Sequence, residues 1–348
     1  MRVVRVLVID DSAFMRQAIK SMLSADGGIE VVGTGRNGRE ALELNERLRP
    51  DVITLDVEMP EMDGLTALER IMRERPTRVL MVSSLTTAGS RAAMRALALG
   101  AADVLAKDGS QISLSIHAIG EDLLLKVKEL GAAQLVTRRP PRRDPASLPE
   151  FSHRSVDIVA IGSSTGGPAA LETILQLVPA SFSPAIVVAQ HMPGMFTESM
   201  AQRLDEVCRL PVVHVADRMP LLPGRIHIAK GGMHMHVRRL SVRDVEVFAS
   251  DQPATAVYRP SVDVLLSSAA AAFGSRTLGI VLTGIGQDGL AGAKDLRNRG
   301  GRLWAQDQAS CVVYGMPKAV TEQGLVEINI DPASIGRALA AGASRAAA

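Results

Sequence analysis

Short apolar runs rich in β-branched residues alternate with stretches of helical periodicity along the first 125 residues. Five such strand–helix units in series predict a parallel sheet with helices on both faces. Right-handed crossovers restrict this sheet to a doubly wound, flavodoxin-like form. The predicted strands are residues 3–9, 29–34, 51–55, 78–82 and 102–105, and the predicted helices are residues 13–24, 39–48, 65–75, 90–99 and 112–130.

The same alternation returns from residue 156 and predicts a second α/β domain with a mostly parallel sheet. A middle stretch departs from it, because three strand-like runs follow one another without a helix between them. These runs, residues 225–229, 235–237 and 242–248, predict added β-structure in the form of a hairpin. The predicted organisation is therefore one domain over residues 1–125 and a larger one over residues 154–348.

Residues 126–153 carry the end of a helix and then a segment rich in arginine and proline, which predicts a semi-extended linker.

The net charges of residues 1–125, 126–153 and 154–348 are −3, +3 and +2, so neither predicted domain is basic enough for nucleic-acid binding. Two distant cysteines make no disulfide framework. No apolar run reaches the roughly 18 residues of a membrane span, so we expect a cytoplasmic protein without membrane insertion.

Polar residues stand where the strands of the first domain end. Asp10 and Asp11 follow the first strand, Asp56 closes the third, Ser83 closes the fourth and Lys107 closes the fifth. The carboxyl ends of parallel strands meet at one edge of the sheet, and clustered carboxylates there suit Mg²⁺. With Lys107 beside it, Asp56 is a candidate nucleophile for phosphoryl transfer. Each residue alone has an ordinary structural explanation, such as a helix cap for an aspartate, but all five at the carboxyl ends of the strands favour a site.

These residues lie in motifs that resemble the response-regulator receiver domains. The motifs are Val-Ile-Asp-Asp-Ser (8–12), Thr-Leu-Asp-Val-Glu-Met-Pro-Glu-Met-Asp-Gly (54–64), Met-Val-Ser-Ser-Leu-Thr (81–86) and Ala-Lys (106–107). The resemblance implies that Asp56 is the phosphoacceptor and that Ser83 and Lys107 contact the phosphoryl group. It further implies an Mg²⁺ ligand set of Asp10, Asp11, Asp56 and the backbone of Glu58.

Two residues depart from the receiver pattern. Val104 stands where many receivers carry an aromatic switch residue, and Asp108 stands where a proline is usual. We therefore expect phosphorylation chemistry without the usual aromatic readout.

A glycine-rich loop, Gly162-Ser163-Ser164-Thr165-Gly166-Gly167-Pro168, follows an apolar strand and opens a helix in the second domain. It fits a phosphate-binding loop, a simple turn, or a nucleophilic serine beside an oxyanion hole. His191 and Asp288 follow later strands and would complete a triad with Ser164.

Two competing patterns occur in the same domain. Gly284, Gly286 and Gly289, with Asp307 further on, match a dinucleotide-binding fingerprint. Asp288 weakens that interpretation because its carboxylate would occupy the place of the pyrophosphate. His227, His234 and His236 suggest a metal site but lack the supporting ligand spacing.

The combined pattern resembles the chemotaxis protein-glutamate methylesterases, the CheB family. The shared segments are residues 161–168, 190–197, 222–234, 258–263, 282–289 and 305–317. The resemblance implies that Ser164 is the nucleophile, His191 the base and Asp288 its orienter, with the backbone of Thr165 and Ile285 in the oxyanion hole. Many relatives have methionine at position 285 and asparagine at position 287, where this chain has Ile285 and Gln287.

The resemblance also implies the function. We expect a phosphorylation-activated, monomeric hydrolase that demethylates glutamate γ-methyl esters on chemoreceptors and deamidates receptor glutamines. Its phosphodonor would be a chemotaxis histidine kinase, and its esterase chemistry would need no cofactor. Two alternatives remain: a binding module with an inactive second domain, and a transcription factor, against which the near-neutral charge argues.

Overall fold

The computed structural model describes residues 2–84, 86–107, 114–133, 151–152 and 154–344. The chain divides into two compact units, Met1–Leu135 and Val136–Ala348. The Arg/Pro-rich segment of residues 134–150 and Asp108 lie outside the described residues. In the described part of the chain, every helix is too short or too polar to cross a membrane.

The first unit is a five-stranded parallel sheet in the order β2-β1-β3-β4-β5, which confirms the doubly wound prediction. Its strands are β1 Val4–Ile9, β2 Ile29–Gly35, β3 Val52–Asp56, β4 Arg78–Ser84 and β5 Asp103–Lys107. Its helices are α1 Ala13–Ser24, α2 Gly38–Leu48, α3 Gly64–Glu74, α4 Thr87–Ala98 and α5 Leu114–Ala132. The central strands are buried along their length, as expected for a sheet covered on both faces.

Side-chain caps fix where the helices of the first unit begin. Ser12, Asn37, Asp63 and Thr86 each accept a hydrogen bond from a backbone N–H of the following first turn. Such caps satisfy the donors that a helix leaves unpaired at its start. They place the strand-to-helix loops, and the polar residues in them, at the carboxyl edge of the sheet.

The second unit is built on a seven-stranded parallel sheet in the order β15-β14-β13-β6-β7-β10-β8. These strands are β6 Ile158–Ser163, β7 Ala185–Gln190, β8 Val212–Val215, β10 Ile226–Ala229, β13 Thr277–Val281, β14 Arg302–Gln306 and β15 Ile328–Ile330. Its helices are α6 Gly167–Leu175, α7 Gly194–Val207, α8 Val262–Phe273, α9 Leu290–Asn298, α10 Met316–Glu322 and α11 Pro332–Ser344. Phe151 is buried in this unit and packs against Phe182 and Trp304, so the fold includes residues before 154.

A separate antiparallel sheet in the order β11-β12-β9 supplies the predicted hairpin. Its strands are β9 Met219–Pro220, β11 His234–Arg239 and β12 Val245–Ser250. The prediction for residues 225–229 was wrong in one respect, because β10 belongs to the main sheet between β7 and β8. All four of its residues are buried, which is typical of a parallel strand covered on both faces.

Candidate functional site

The acidic residues of the first unit meet at the carboxyl ends of β1 and β3. Asp10 and Asp56 are buried, Asp11 is exposed, and one carboxylate oxygen from each lies within 4.8 Å of the others. Lys107, at the end of β5, places its Nζ 2.8 Å from Asp10 Oδ2 and 2.7 Å from Asp56 Oδ2. An oxygen-only cluster with one exposed member fits Mg²⁺, which keeps several waters.

Burial and charge oppose each other at this cluster. Burial raises the pKa of Asp56, although the ammonium of Lys107 acts in the other direction. Burial on its own would lower the pKa of Lys107, but its contacts with Asp10 and Asp56 raise it overall. The second oxygen of Asp56 accepts a hydrogen bond from Val57 N–H at 2.7 Å, which fixes the carboxylate.

The sequence singled out three other residues of this unit. Ser83 is buried on β4, where its hydroxyl donates to the Gly89 carbonyl. The side chain of Glu58 is exposed and is not part of the acidic cluster. Val104 is buried on β5 and offers only a short aliphatic side chain where an aromatic switch would stand.

In the second unit, Ser164 lies in the loop between β6 and α6, and hydrogen bonds to its backbone N–H and carbonyl hold it in place. Ser164 N–H donates to the Thr283 carbonyl at 3.0 Å. The Ser164 carbonyl accepts from Gly167 N–H at 2.8 Å and from the amide of Gln190 at 2.9 Å. Gln190 also accepts from the Ser163 hydroxyl, so the serine loop is attached to the end of β7. This network leaves the Ser164 backbone little freedom to move.

His191 lies directly after β7 and pairs with Asp288. His191 Nε2 is 2.8 Å from Asp288 Oδ2, and both side chains are almost fully buried. The other ring nitrogen, Nδ1, is buried and has no hydrogen-bond partner within the described part of the chain. Tyr258 covers the imidazole ring, with the ring centroids 4.3 Å apart and the planes within 9°. The structure therefore brings Ser164, His191 and Asp288 to one edge of the sheet, with Nδ1 available for a further partner.

The carboxylate of Asp288 is held by the start of α8. It accepts hydrogen bonds from the Ser261 hydroxyl at 2.9 Å, from Val262 N–H at 2.6 Å and from Asp263 N–H at 3.1 Å. Although burial on its own would raise the pKa of Asp288, its bond to His191 and these amides lower it. A helix N-terminus stabilises negative charge, so Asp288 stays ionised beside the imidazole.

Glycines allow the loops around Ser164 to pack closely against one another. Gly166 has φ +78° and Gly286 has φ +79°, in the left-handed region that favours glycine. A Cβ on Gly284 would lie 2.7 Å from Ser164 Cβ and 2.3 Å from Met316 Sδ. Thr165 and Ile285, the two predicted oxyanion residues, are buried in these same loops.

The two competing patterns are explained by other contacts. The start of α9, where the dinucleotide fingerprint would place a pyrophosphate, is occupied by Asp263, which accepts from Gly289 and Gly292 N–H at 2.9 and 2.7 Å. Among the described residues, His227, His234 and His236 form no metal-binding group. His227 is fully buried on β10, and burial lowers its pKa to about 4.

Sequence reasoning assigned no role to several residues that complete this site. They are Gln190, Tyr258, Ser261 and Asp263. A sequence signal was present for Ser261 and Asp263, since a serine before an apolar helical run, with an acid in the first turn, is an N-cap pattern. Their partner, Asp288, is 27 residues from Ser261 and 25 from Asp263, and no local pattern indicates a contact over that distance.

A receiver-like unit followed by a larger α/β unit, with Ser164, His191 and Asp288 at strand ends, defines a response regulator with an α/β output unit. A family model described as response regulator receiver domain matches residues 6–118, and one described as CheB methylesterase matches residues 159–339. The chain belongs to the CheB methylesterase family.

Curated relatives match this chain over nearly its whole length. The protein-glutamate methylesterase/protein-glutamine glutaminase 1 of Oleidesulfovibrio alaskensis is 44% identical over 363 residues, covering 97% of this chain and 98% of its own. The enzyme of the same name from Pseudomonas aeruginosa is 41% identical over 373 residues with the same coverage. The crystal structure of the Thermotoga maritima CheB methylesterase catalytic domain is 39% identical, with a TM-score of 0.52, and covers 54% of this chain and 98% of its own.

Proposed function

We propose that this protein is a phosphorylation-regulated protein-glutamate methylesterase and protein-glutamine glutaminase of a chemosensory system. The observation that carries the proposal is the Ser164 loop beside the buried His191–Asp288 pair, in a chain whose full-length relatives bear that name. The substrates are glutamate γ-methyl esters, and selected glutamines, on chemoreceptor helices.

The proposed reaction is acyl transfer through Ser164. The hydroxyl oxygen attacks the γ-carbonyl carbon of the methylated glutamate while His191 accepts the hydroxyl proton. Nδ1 is the nitrogen for this step, because Nε2 is bonded to Asp288. The same proton then passes to the departing methoxide, which leaves as methanol. Water next attacks the acyl-enzyme with His191 again as base, releasing glutamate and restoring Ser164.

The negative charge that develops on the carbonyl oxygen needs hydrogen-bond donors. We assign the backbone N–H groups of Thr165 and Ile285 to this role, since both belong to the rigid loops that enclose Ser164. Removing one such donor typically costs about 3 kcal/mol of transition-state stabilisation. Ile285 contributes through its backbone, so the exchange of methionine for isoleucine at this position has a mild effect.

Deamidation uses the same steps with ammonia as the leaving group. The tetrahedral intermediate formed from a glutamine carboxamide loses ammonia after protonation by His191, and hydrolysis of the same acyl-enzyme gives glutamate. One site therefore produces glutamate from either receptor side chain.

The first unit is the proposed regulatory input. Asp56 takes the phosphoryl group from a phosphohistidine of a chemotaxis histidine kinase: one carboxylate oxygen forms the new bond to phosphorus while the phosphorus–nitrogen bond breaks and the kinase imidazole leaves. Asp10, Asp11, Asp56 and the backbone of Glu58 would hold Mg²⁺, which would neutralise charge on the phosphoryl group. Lys107, whose Nζ lies 2.7 Å from Asp56 Oδ2, and Ser83 would contact the phosphoryl oxygens. Phosphorylation relieves inhibition of the esterase, and the protein acts as a cytoplasmic monomer.

The decisive experiment measures methanol release from methylated receptor by the wild-type protein and by Ser164→Ala, with and without a small phosphodonor. Wild type should release methanol, and Ser164→Ala should fall by at least about 1,000-fold. Activity of Ser164→Ala close to wild type would exclude the serine mechanism. A wild-type protein that binds receptor but releases no methanol would instead be a binding module.

The regulatory part is tested separately with Asp56→Asn. Phosphodonor should stimulate wild type and leave Asp56→Asn at its basal rate. Asp51→Asn is a matched control, because Asp51 precedes the same strand and pairs with exposed Arg2 rather than with Lys107. Equal stimulation of Asp56→Asn and wild type would exclude regulation through this aspartate.

A further inference from the structure

The starts of α8 and α9 are joined by reciprocal hydrogen bonds from backbone N–H groups to carboxylates. Asp288, just before α9, accepts hydrogen bonds from the Ser261 hydroxyl and from Val262 and Asp263 N–H at the start of α8. In return Asp263, in the first turn of α8, accepts from Gly289 and Gly292 N–H at the start of α9, at 2.9 and 2.7 Å. Each helix N-terminus therefore holds the acid that the other helix supplies.

These hydrogen bonds form a ring that includes Asp288, the partner of His191. Gly289 N–H donates to Asp263 and also to the carboxylate of the adjacent Asp288, at 2.9 and 3.1 Å. Asp263 is half-buried and lies close to Asp288, so burial and then the charge of Asp288 raise its pKa, although Gly292 and Gly289 N–H act in the other direction. Close packing adds to the constraint, since a Cβ on Gly292 would lie 2.6 Å from the Asp263 carbonyl. The position of Asp288, and through it of His191, depends on where α9 begins.

We infer that Asp263 is a positioning residue for the proposed esterase reaction, because it fixes the start of α9 and thereby the Asp288 carboxylate that orients His191. The hydrogen bonds of Asp263 go to Asp288 and to the start of α9, so its effect on His191 passes through Asp288. Without its carboxylate, the buried Gly292 N–H loses its acceptor and Gly289 N–H keeps only the adjacent Asp288, so the loop that carries Asp288 can shift. The inference rests on the proposed function, since the readout is esterase chemistry.

The test compares Asp263→Ala and Asp263→Asn in the full-length protein, with three measurements. These are kcat and KM for methanol release, the rate at which a fluorophosphonate probe labels Ser164, and the thermal unfolding midpoint. Asp263→Ala should lose at least about tenfold in kcat and in labelling rate, with KM within about twofold. Asp263→Asn keeps the volume and one acceptor oxygen, so it should recover part of both rates, and it also serves if the alanine variant does not fold.

Asp331→Asn is the control for a purely structural effect. Asp331 is also a buried helix cap, accepting from Ser334 N–H and hydroxyl at the start of α11, and it bonds to none of Ser164, His191 and Asp288. It should lower the midpoint while leaving kcat and labelling at wild-type values. Wild-type rates in both Asp263 variants, or equal rate losses in Asp331→Asn, would overturn the inference. A wild-type protein that neither releases methanol nor reacts with the probe would overturn the proposed function instead.

Discussion

At the scale of single residues, Ser164 packs so closely against Gly284 that no side chain fits between them. A methyl group on Gly284 would approach Met316 Sδ to 2.3 Å, Ser164 Cβ to 2.7 Å and Ser164 N to 3.1 Å. The methionine can move, but the serine main chain is held by hydrogen bonds to Thr283 and Gly167. A substitution at this glycine must therefore shift Ser164, the proposed nucleophile, or the loop that packs against it.

Gly284→Ala should reduce kcat by about 10- to 100-fold, because small displacements of a reacting group are costly in rate. Overpacking should also lower the free energy of unfolding by about 1–3 kcal/mol. Methanol release and chemical denaturation measure the two effects. Gly27→Ala is the control, since no atom would lie within 4 Å of its new Cβ, and it should change neither. Full activity in Gly284→Ala would show that Ser164 is not fixed by this contact.

Lys107 neutralises two buried carboxylates, Asp10 and Asp56. Lys107→Met leaves both without their cation, and removing one partner of a buried ion pair typically costs about 3–5 kcal/mol. We expect a loss of at least about 2 kcal/mol in the unfolding free energy of the first unit, measured without Mg²⁺.

The second substitution Asp56→Asn should restore part of the loss caused by Lys107→Met, because it removes one of the two uncompensated charges. Lys128→Met is a matched control, since Lys128 pairs with Asp26 at the surface and such pairs contribute under about 1 kcal/mol. If Lys107→Met and Lys128→Met cost the same, the buried cluster does not depend on the lysine.

At the scale of elements, the sequence alone predicted most strands and helices but not all of their partners. Periodicity identifies a strand from its own residues, whereas its neighbours depend on contacts far away in the chain. Residues 226–229 show this: their apolar run was correctly taken as a strand, but proximity in sequence grouped it with the hairpin instead of with β7 and β8. The two-residue β9 and three-residue β15 carry too few residues for any period.

The site was predictable to the same extent. Strand-end placement brought together Ser164, His191 and Asp288, as well as Asp10, Asp56 and Lys107, because parallel strands end on one edge. The supporting residues were not predictable, since the bonds from Ser261 and Asp263 to Asp288 join the starts of two different helices. Motif and fold topology indicate which residues converge, while packing decides what holds them.

Strand β10 carries an acid-sensitive residue. His227 is fully buried between β7 and β8, its Nδ1 lies 3.2 Å from the Ile186 carbonyl, and burial lowers its pKa to about 4. The folded state therefore keeps this imidazole neutral below the unfolded value of about 6.5. Between pH 6.5 and 4 the unfolded chain binds a proton at His227 that the folded chain does not. The contribution of neutral His227 to folding stability is therefore complete above about pH 6.5 and is lost as the pH falls towards 4.

The loss from His227 should approach about 3 kcal/mol over that range, and burial of His214 and His234 adds to it in the same direction. His227→Gln cannot titrate, so it should be less stable than wild type at pH 7 but lose less between pH 7 and pH 5. Denaturation of the second unit at both pH values measures the difference. An identical loss in wild type and variant would assign the acid sensitivity to other groups.

At the scale of the whole molecule, input and output chemistry reside in two units, each with its own sheet and core. Units with separate cores can unfold in separate transitions. A ligand that binds one folded unit raises only the transition of that unit, by about 2.7 kcal/mol at 100 times its dissociation constant. Mg²⁺ should therefore act on one transition only, and the second unit serves as an internal reference.

A substitution at Asp11 separates loss of metal binding from loss of stability. Asp10 and Asp56 are buried against Lys107, so changing them alters stability even without metal, whereas Asp11 is exposed. Asp11→Asn should leave the metal-free midpoint of the first unit nearly unchanged and abolish the increase that Mg²⁺ produces, as calorimetry with and without Mg²⁺ would measure. Asp26→Asn should keep the increase, because Asp26 pairs with Lys128 outside the cluster. An Mg²⁺ effect that survives in Asp11→Asn, or that falls on the second transition, would place the metal elsewhere. The proposed phosphorylation of Asp56 would then lack the cation that balances the charge of the phosphoryl group.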